Sequence, residues 1–155
     1  MQFMPKTVLL WSAIALGAAA WATTVSVAPP AGAVCRLPAE LEWKSNPRVH
    51  GLQTAVLAGD PRAAGPYAQR IKFPPHFRLE PHSHPNEARM VTVLSGTLYF
   101  AYGTKFDESQ LKRLPPGSFF TEPKDVPHYA MTGEKGVVLE LHAIGPDGTN
   151  YVKEK

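Results

Sequence analysis

From residue 49 onward, the chain alternates short apolar segments with turns at intervals of about ten residues. The clearest turns are Gly59-Asp60-Pro61, Pro74-Pro75 and Gly145-Pro146. Strands are also expected to end at Ser95-Gly96 and at Gly133, and residues Asp107 to Leu111 are expected to form one short helical turn. The sequence holds 16 prolines and 12 glycines, and because both residue types interrupt helices and favour turns, they argue against a helical bundle. The pattern predicts an all-β domain over residues 49–155, either a sandwich or a barrel.

The first residues have the composition of an export signal. Lys6 is the only charge before Arg36, an apolar run from Val8 to Trp21 follows it, and Ala20-Trp21-Ala22 offers a small-x-small cleavage site. The run is shorter than the roughly twenty residues that a spanning helix needs. We therefore interpret residues 1–22 as a secretory signal peptide, with an uncleaved N-terminal anchor as the alternative. This interpretation predicts a periplasmic or secreted protein without stable membrane insertion once processed.

Residues 23–48 are rich in Ala, Pro and Thr, and they are predicted to form a linker and an N-terminal arm. Within the arm, Leu37 to Trp43 is expected to form a short helix or strand that packs onto the domain. Cys35 is the only cysteine, which excludes an intrachain disulfide and predicts a free thiol. Homodimerisation, with the arm packed across partners, is left open by the sequence.

The charge pattern bears on the class of partner. The formal net charge is +3, and acidic and basic residues are interspersed. Because no basic run carries interleaved aromatic residues, nucleic acid is not expected as a partner. A small molecule is the expected substrate or ligand.

Three histidines carry the chemical signal. His82 and His84 are one residue apart on a predicted strand, so their side chains point to the same face. His128 follows a turn that contains Pro123 and is expected to come from a neighbouring strand. Histidines that converge inside a barrel are costly to bury without a partner, and histidine is the commonest metal ligand. The pattern predicts a metal site formed by His82, His84 and His128.

The segments around these histidines, residues 82–96 and 117–132, resemble the two motifs of the cupin superfamily. The matching motif residues are His82, His84 and Gly96, then Gly117, Pro123 and His128. Residues 49–152 as a whole are similar to a small single-domain group of bacterial cupins. The resemblance implies a single cupin-type double-stranded β-helix, a jelly-roll barrel, preceded by the signal peptide and the arm.

The sequence departs from the family motifs at several positions. Arg89 occupies the place of the glutamate that the family uses as a metal ligand, and a guanidinium cannot ligate a metal. Glu87 is the nearest carboxylate in the sequence and is a candidate ligand if its loop bulges. Arg89 itself either extends its head outward to solvent or binds an anionic substrate. Asp125 and Thr132 replace the turn glycine and the terminal asparagine of the second motif.

Glu140 and His142 form a second candidate pair. They lie on the last strong strand with Ile144 on the same face. If that face turns into the barrel, both side chains approach the histidine cluster. Either residue is then a candidate for the missing ligand, for a general base, or for a group that positions the substrate. We expect them to be catalytic residues.

The predicted ligand set suits a divalent first-row metal, with Fe, Mn, Ni, Cu and Zn all open. Three or four protein ligands leave positions for substrate, dioxygen or water. The leading hypothesis is a metal-dependent enzyme that acts on a small molecule, with dioxygenase-like chemistry favoured. The alternative is a non-catalytic cupin that binds a metal or a small ligand, because fold alone does not determine function.

Overall fold

A computed structural model describes residues 28–47 and 49–153. The predicted signal peptide, residues 1–22, lies outside the described residues. In the part of the chain that is described, no helix has the length and apolar character needed to cross a membrane.

The described residues confirm the all-β prediction, since their only helices are two single 3₁₀ turns, Pro38–Glu40 and Glu108–Gln110. The other elements are strands. In chain order they are β1 (Lys44–Ser45), β2 (Gln53–Ala58), β3 (Gly65–Phe73), β4 (Arg78–Ser83), β5 (Glu87–Tyr102), β6 (Lys112–Leu114), β7 (Phe119–Glu122), β8 (His128–Gly145) and β9 (Asn150–Tyr151).

The strands form one curled antiparallel sheet in the order β1-β2-β3-β8-β4-β9, and β5 pairs in addition with β6, β7 and β8. Strand β8 is central because its first half pairs with β4 and its second half pairs with β3, while β5 runs along both halves. Apolar side chains from the inner face fill the barrel. The buried core consists of Tyr67, Val91, Val93, Leu98, Phe100, Leu114, Ala130, Val137, Leu139, Leu141 and Ala143.

Two strands are longer than the sequence suggested. The turn residues Ser95-Gly96 and Gly133 were expected to end strands, but β5 and β8 run through them. The pairing of β5 with β8 shifts register around Gly96, which has a φ of +77°. A Cβ at Gly96 would also collide with the carbonyl oxygen of Gly136. The glycine therefore allows a bulge that bends the strand without ending it.

Two local predictions are confirmed. The helical turn expected over Asp107–Leu111 is the 3₁₀ helix Glu108–Gln110, and the Asp107 side chain caps it by accepting a hydrogen bond from the Ser109 amide over 2.9 Å. In the arm, the segment Leu37 to Trp43, for which a short helix or strand was expected, contains the 3₁₀ helix Pro38–Glu40. Strand β1 follows this helix and joins the arm to the sheet by pairing with β2.

Candidate metal centre

The structure brings His82, His84 and His128 together inside the barrel. His82 lies near the end of β4, His84 follows that strand, and His128 begins β8 directly opposite His82 in the ladder. One ring nitrogen of each histidine lies within 4.8 Å of the others. All three side chains are buried. The sequence motifs therefore predicted the convergence correctly.

The hydrogen bonds of the three rings fix which nitrogen is free. A backbone carbonyl lies beside Nδ1 of each ring. The pairs are His82 Nδ1 with Glu80 O at 2.7 Å, His84 Nδ1 with Gly148 O at 2.6 Å, and His128 Nδ1 with Val126 O at 3.1 Å. A carbonyl oxygen can only accept, so each Nδ1 carries the hydrogen and donates it. In the neutral ring, Nε2 then carries a lone pair, and an imidazole in this form can bind a metal ion.

His128 gives the most direct indication of a missing partner. Its Nε2 is buried and has no hydrogen-bond partner among the described residues. A buried polar atom without a partner costs roughly 1–3 kcal/mol, and native proteins rarely leave one. A divalent metal ion would satisfy this lone pair together with those of His82 and His84. The donor set therefore fits a first-row transition metal.

Glu122 is a site residue that sequence reasoning missed. It ends β7 and lies opposite Arg89 in the β5–β7 ladder. One carboxylate oxygen, Oε1, is 3.6 Å from His128 Nε2, and Oε2 is 3.6 Å from His84 Nε2. The sequence signal that points to Glu122 is its position directly before Pro123 of the second motif.

Arg89 is buried, which excludes one of its two alternatives, the one in which its head extends outward to solvent. Only 5% of its surface is exposed. Its Nε donates to Glu122 Oε2 over 2.8 Å, and one terminal nitrogen donates to Asp147 Oδ1 over 2.6 Å and to the Tyr67 hydroxyl over 3.3 Å. The anions that Arg89 contacts are thus carboxylates of the protein itself.

Burial and charge set the protonation states of the cluster. Burial, and after it the positive charge of Arg89, lowers the pKa of His84 to about 4. Burial also lowers the pKa of His82, with His128 as the next cause. For Glu122, burial raises the pKa, but the charges of Arg89 and the histidines outweigh it and the net direction is down. At neutral pH, His84 is therefore neutral and Glu122 is ionised, which are the forms in which these side-chain types can bind a metal.

Glu87 does not reach the cluster, which corrects its prediction as a metal ligand. It begins β5, its side chain is 67% exposed, and Lys124 Nζ donates to its Oε1 over 3.0 Å. The loop before β5 does not bulge inward, because Asn86 is buried there and its Nδ2 donates to the carbonyl oxygens of Ile144 and Pro146. These bonds leave Glu87 on the outside.

The structure also corrects the placement of Glu140 and His142. The side chains of Leu139, Leu141 and Ala143 fill the barrel, so the alternate positions on β8 face outward. Glu140 accepts a hydrogen bond from Arg70 Nε over 2.9 Å, and His142 Nε2 lies 3.3 Å from Glu140 Oε1. Neither residue joins the histidine cluster, so the expected catalytic pair is not part of the barrel interior.

A cavity of about 280 Å³ opens beside the cluster. The three histidines, Arg89 and Glu122 line it on one side, and its other polar lining residues include Gln69, Arg78, Glu80 and Asp147. The remaining wall is mainly apolar and includes Leu52, Ile71, Phe73, Phe77, Leu79, Phe100 and Leu139. A concave apolar site with a few converging polar groups is typical of small-molecule binding.

Comparison with known proteins agrees with this architecture. The model of the Cupin domain family matches residues 69–143, which include His82, His84 and His128. Putative germin-like protein 2-1 from Oryza sativa subsp. japonica is 30% identical over 106 residues, which cover 67% of this chain and 49% of that protein. The chain thus spans about half the length of this relative.

Two solved structures share the fold. The polyketide cyclase RemF from Streptomyces resistomycificus superposes with a TM-score of 0.63 at 17% identity, covering 78% of this chain and 86% of RemF. An RmlC-like cupin from Shewanella frigidimarina gives a TM-score of 0.55 at 18% identity, covering 71% of this chain and 89% of that protein. At these identities the similarity shows the fold alone, a jelly-roll barrel.

Proposed function

The chain belongs to the cupin superfamily, and from that premise we propose that His82, His84 and His128 bind one divalent transition metal ion. The observation that carries the proposal is the orientation of the three rings. Each Nδ1 is held by a backbone carbonyl, and one ring nitrogen of each histidine lies within 4.8 Å of the others. The unpartnered Nε2 of His128 supports the same proposal.

The protein supplies the environment for a reaction at this site. When bound, a divalent first-row metal supplies Lewis-acid or redox chemistry. The carbonyl bonds to Nδ1 hold the three rings in fixed orientations. Apolar side chains such as Phe73, Phe100 and Leu139 exclude water from the cavity and pack against an apolar part of the ligand.

We propose that the protein is a metal-dependent enzyme that acts on a small, largely apolar molecule, with dioxygenase-like chemistry as the leading subtype. The supporting observation is that the cavity is lined both by the histidine cluster and by apolar side chains, so a ligand there would contact the metal. The fold neighbour RemF is named as a polyketide cyclase, which is an enzyme of the same architecture. We further propose that the protein is periplasmic or secreted, as residues 1–22 suggest.

A non-catalytic cupin that binds a metal or a small ligand is the second candidate. One observation favours it: the expected acid–base pair, Glu140 and His142, lies outside the barrel. A reaction in the cavity would therefore depend on the metal and on groups such as Glu122 for proton transfer. Consumption of a small, largely apolar test compound after dioxygen is added to the metal-loaded protein would favour the enzyme. Reversible binding of such a compound without turnover would favour the second candidate.

Elemental analysis of the mature protein, purified without a chelator or a histidine tag, tests the metal proposal. We expect about one equivalent of a transition metal in the wild type and its loss in a His82→Ala/His84→Ala double variant. His50→Ala, at an exposed histidine outside the cluster, is the matched control and should retain the metal. A wild-type protein that contains no metal and takes none up on reconstitution would contradict the proposal.

A further inference from the structure

We propose that Glu122 is the carboxylate ligand of this metal site and that it replaces, from strand β7, the glutamate that the family carries at the position of Arg89. The inference rests on the proposed metal binding by the three histidines. It assigns to Glu122 the role that the sequence suggested for Glu87.

The distances between Glu122 and two histidines fit shared coordination better than hydrogen bonding. Both carboxylate oxygens lie 3.6 Å from an Nε2 atom, Oε1 from that of His128 and Oε2 from that of His84. This separation exceeds the range of an ordinary hydrogen bond. Two ligands that each lie about 2.0–2.2 Å from one metal ion are roughly 2.8–3.6 Å apart at octahedral or tetrahedral angles. Glu122 is therefore spaced from His84 and from His128 as two ligands of one ion are spaced, while the ligand atoms that all lie within 4.8 Å of one another are those of the three histidines.

The pairing of β5 with β7 explains why a carboxylate on β7 can reach the same site as a carboxylate on β5. Arg89 on β5 and Glu122 on β7 are direct partners in an antiparallel ladder. Residues that face each other in such a ladder project to the same side of the sheet. Both side chains are buried. A carboxylate at position 122 therefore enters the same volume as one at position 89.

The charges around Arg89 leave the site attractive to a cation. Alone, the guanidinium would neutralise Glu122 and repel a metal ion. Arg89 also donates to Asp147 over 2.6 Å, so one positive charge is shared between two carboxylates. Arg89, Glu122 and Asp147 together carry a net charge of −1, and neutral histidines add no charge to it. The carboxylate of Glu122 lies 3.6 Å from Nε2 of His84 and of His128, where negative charge favours a divalent cation.

Arg89 acts in this arrangement as a positioning residue. Its Nε donates to Oε2 of Glu122 over 2.8 Å, and its contacts with Asp147 and Tyr67 fix the guanidinium on the other side. A charge-assisted bond of this length restricts the carboxylate to one orientation. In that orientation, Oε1 is the oxygen that approaches His128.

Cobalt titration of the metal-free protein tests the assignment, because the visible spectrum of Co²⁺ reports its ligands without requiring activity. We compare the wild type with Glu122→Gln, which keeps the shape of the side chain, and with Glu87→Gln as the matched control. We expect Glu122→Gln to weaken Co²⁺ binding by at least about tenfold and to change the visible spectrum. Glu87→Gln should match the wild type in both respects.

The outcomes separate this inference from the proposed function. If the wild type does not bind Co²⁺, the metal proposal itself fails. If the wild type binds Co²⁺ and Glu122→Gln gives the same affinity and spectrum, only the assignment of Glu122 is overturned. Should Glu122→Gln fail to fold, as judged by circular dichroism, Glu122→Asp keeps the charge but shortens the side chain. A Glu122→Asp spectrum identical to that of the wild type would also overturn the assignment, and a changed one would support it.

Discussion

Arg89 and Glu122 face each other across the β5–β7 ladder, and Arg89 Nε donates to Glu122 Oε2 over 2.8 Å in the barrel interior. The exposed fractions of their side chains are only 5% and 11%. In an interior of low polarity, each charge depends on the other, because water cannot solvate either group. A substitution at either residue should therefore affect both the stability of the barrel and the candidate metal site.

Removal of Arg89 should destabilise the protein strongly. Arg89→Met leaves the carboxylates of Glu122 and Asp147 without their shared cation, and we expect a loss of about 3–5 kcal/mol in the free energy of unfolding, measured in urea. The double variant Arg89→Met/Glu122→Gln should be more stable than the sum of the two single changes predicts. Arg62→Met, which removes an exposed ion pair with Asp60, is the control and should cost less than about 1 kcal/mol. Additive costs at positions 89 and 122 would contradict the coupling.

Acid should destabilise the metal-free protein below about pH 6.5. Burial lowers the pKa of His84 from 6.5 to about 4, so between these values the unfolded chain binds more protons than the folded protein. Stability therefore falls as the pH falls through this window, by at most about 1.4 kcal/mol per pH unit for one histidine. The pKa of Glu122 is also lowered, so its stabilising contribution is present above 4.5 and is lost as the pH falls further.

Urea unfolding at several pH values between 4.5 and 7.5, in the presence of a chelator, measures this dependence. We expect His84→Gln to flatten the slope between about pH 6.5 and 4.5, because the substituted side chain does not titrate. His50→Gln, at an exposed position, controls for the loss of a histidine as such. An unchanged slope in His84→Gln would show that another group causes the acid dependence.

The sequence predicted the all-β fold and the meeting of three histidines, because both depend on local patterns. Alternation and turn residues define the strands, and the motif spacing identifies His82, His84 and His128. The expected catalytic role of Glu140 and His142 depended on their face of β8 turning inward, and in the structure the opposite face does so. Both faces of the segment carry apolar residues, and the choice between Leu141 and His142 depends on how β8 pairs with β3 and β5.

The position of Glu122 could not be predicted for a related reason. Its proximity to the histidines follows from the ladder register Arg89↔Glu122, which joins residues far apart in the chain. The continuity of β5 depends in the same way on a long-range contact, because the bulge at Gly96 is accommodated against Gly136 on β8. Local residue preferences contain no information about either contact.

Substitution of the outward pair on β8 should leave metal binding intact. On the outer face of the sheet, Glu140 contacts both Arg70 and His142. We expect Glu140→Gln and His142→Ala to bind Co²⁺ with affinities within about twofold of the wild type and to lose less than about 1 kcal/mol of stability, as is typical of partly exposed ion pairs. Titration with Co²⁺ and urea unfolding measure the two effects. A tenfold loss of Co²⁺ affinity in either variant would show that these residues contribute to metal binding.

Replacement of His128 should separate metal binding from stability. The buried Nε2 of His128 has no hydrogen-bond partner among the described residues, which destabilises the metal-free protein. His128→Leu removes this cost but also removes the Nδ1 bond to Val126 O, so we expect metal-free stability within about 1 kcal/mol of the wild type.

A metal present at about 100 times its dissociation constant should stabilise the wild type by about 2.7 kcal/mol and should not stabilise His128→Leu. Thermal unfolding with and without added metal measures both effects. A loss of more than about 3 kcal/mol in the metal-free variant would instead assign His128 a structural role, as for other large core substitutions.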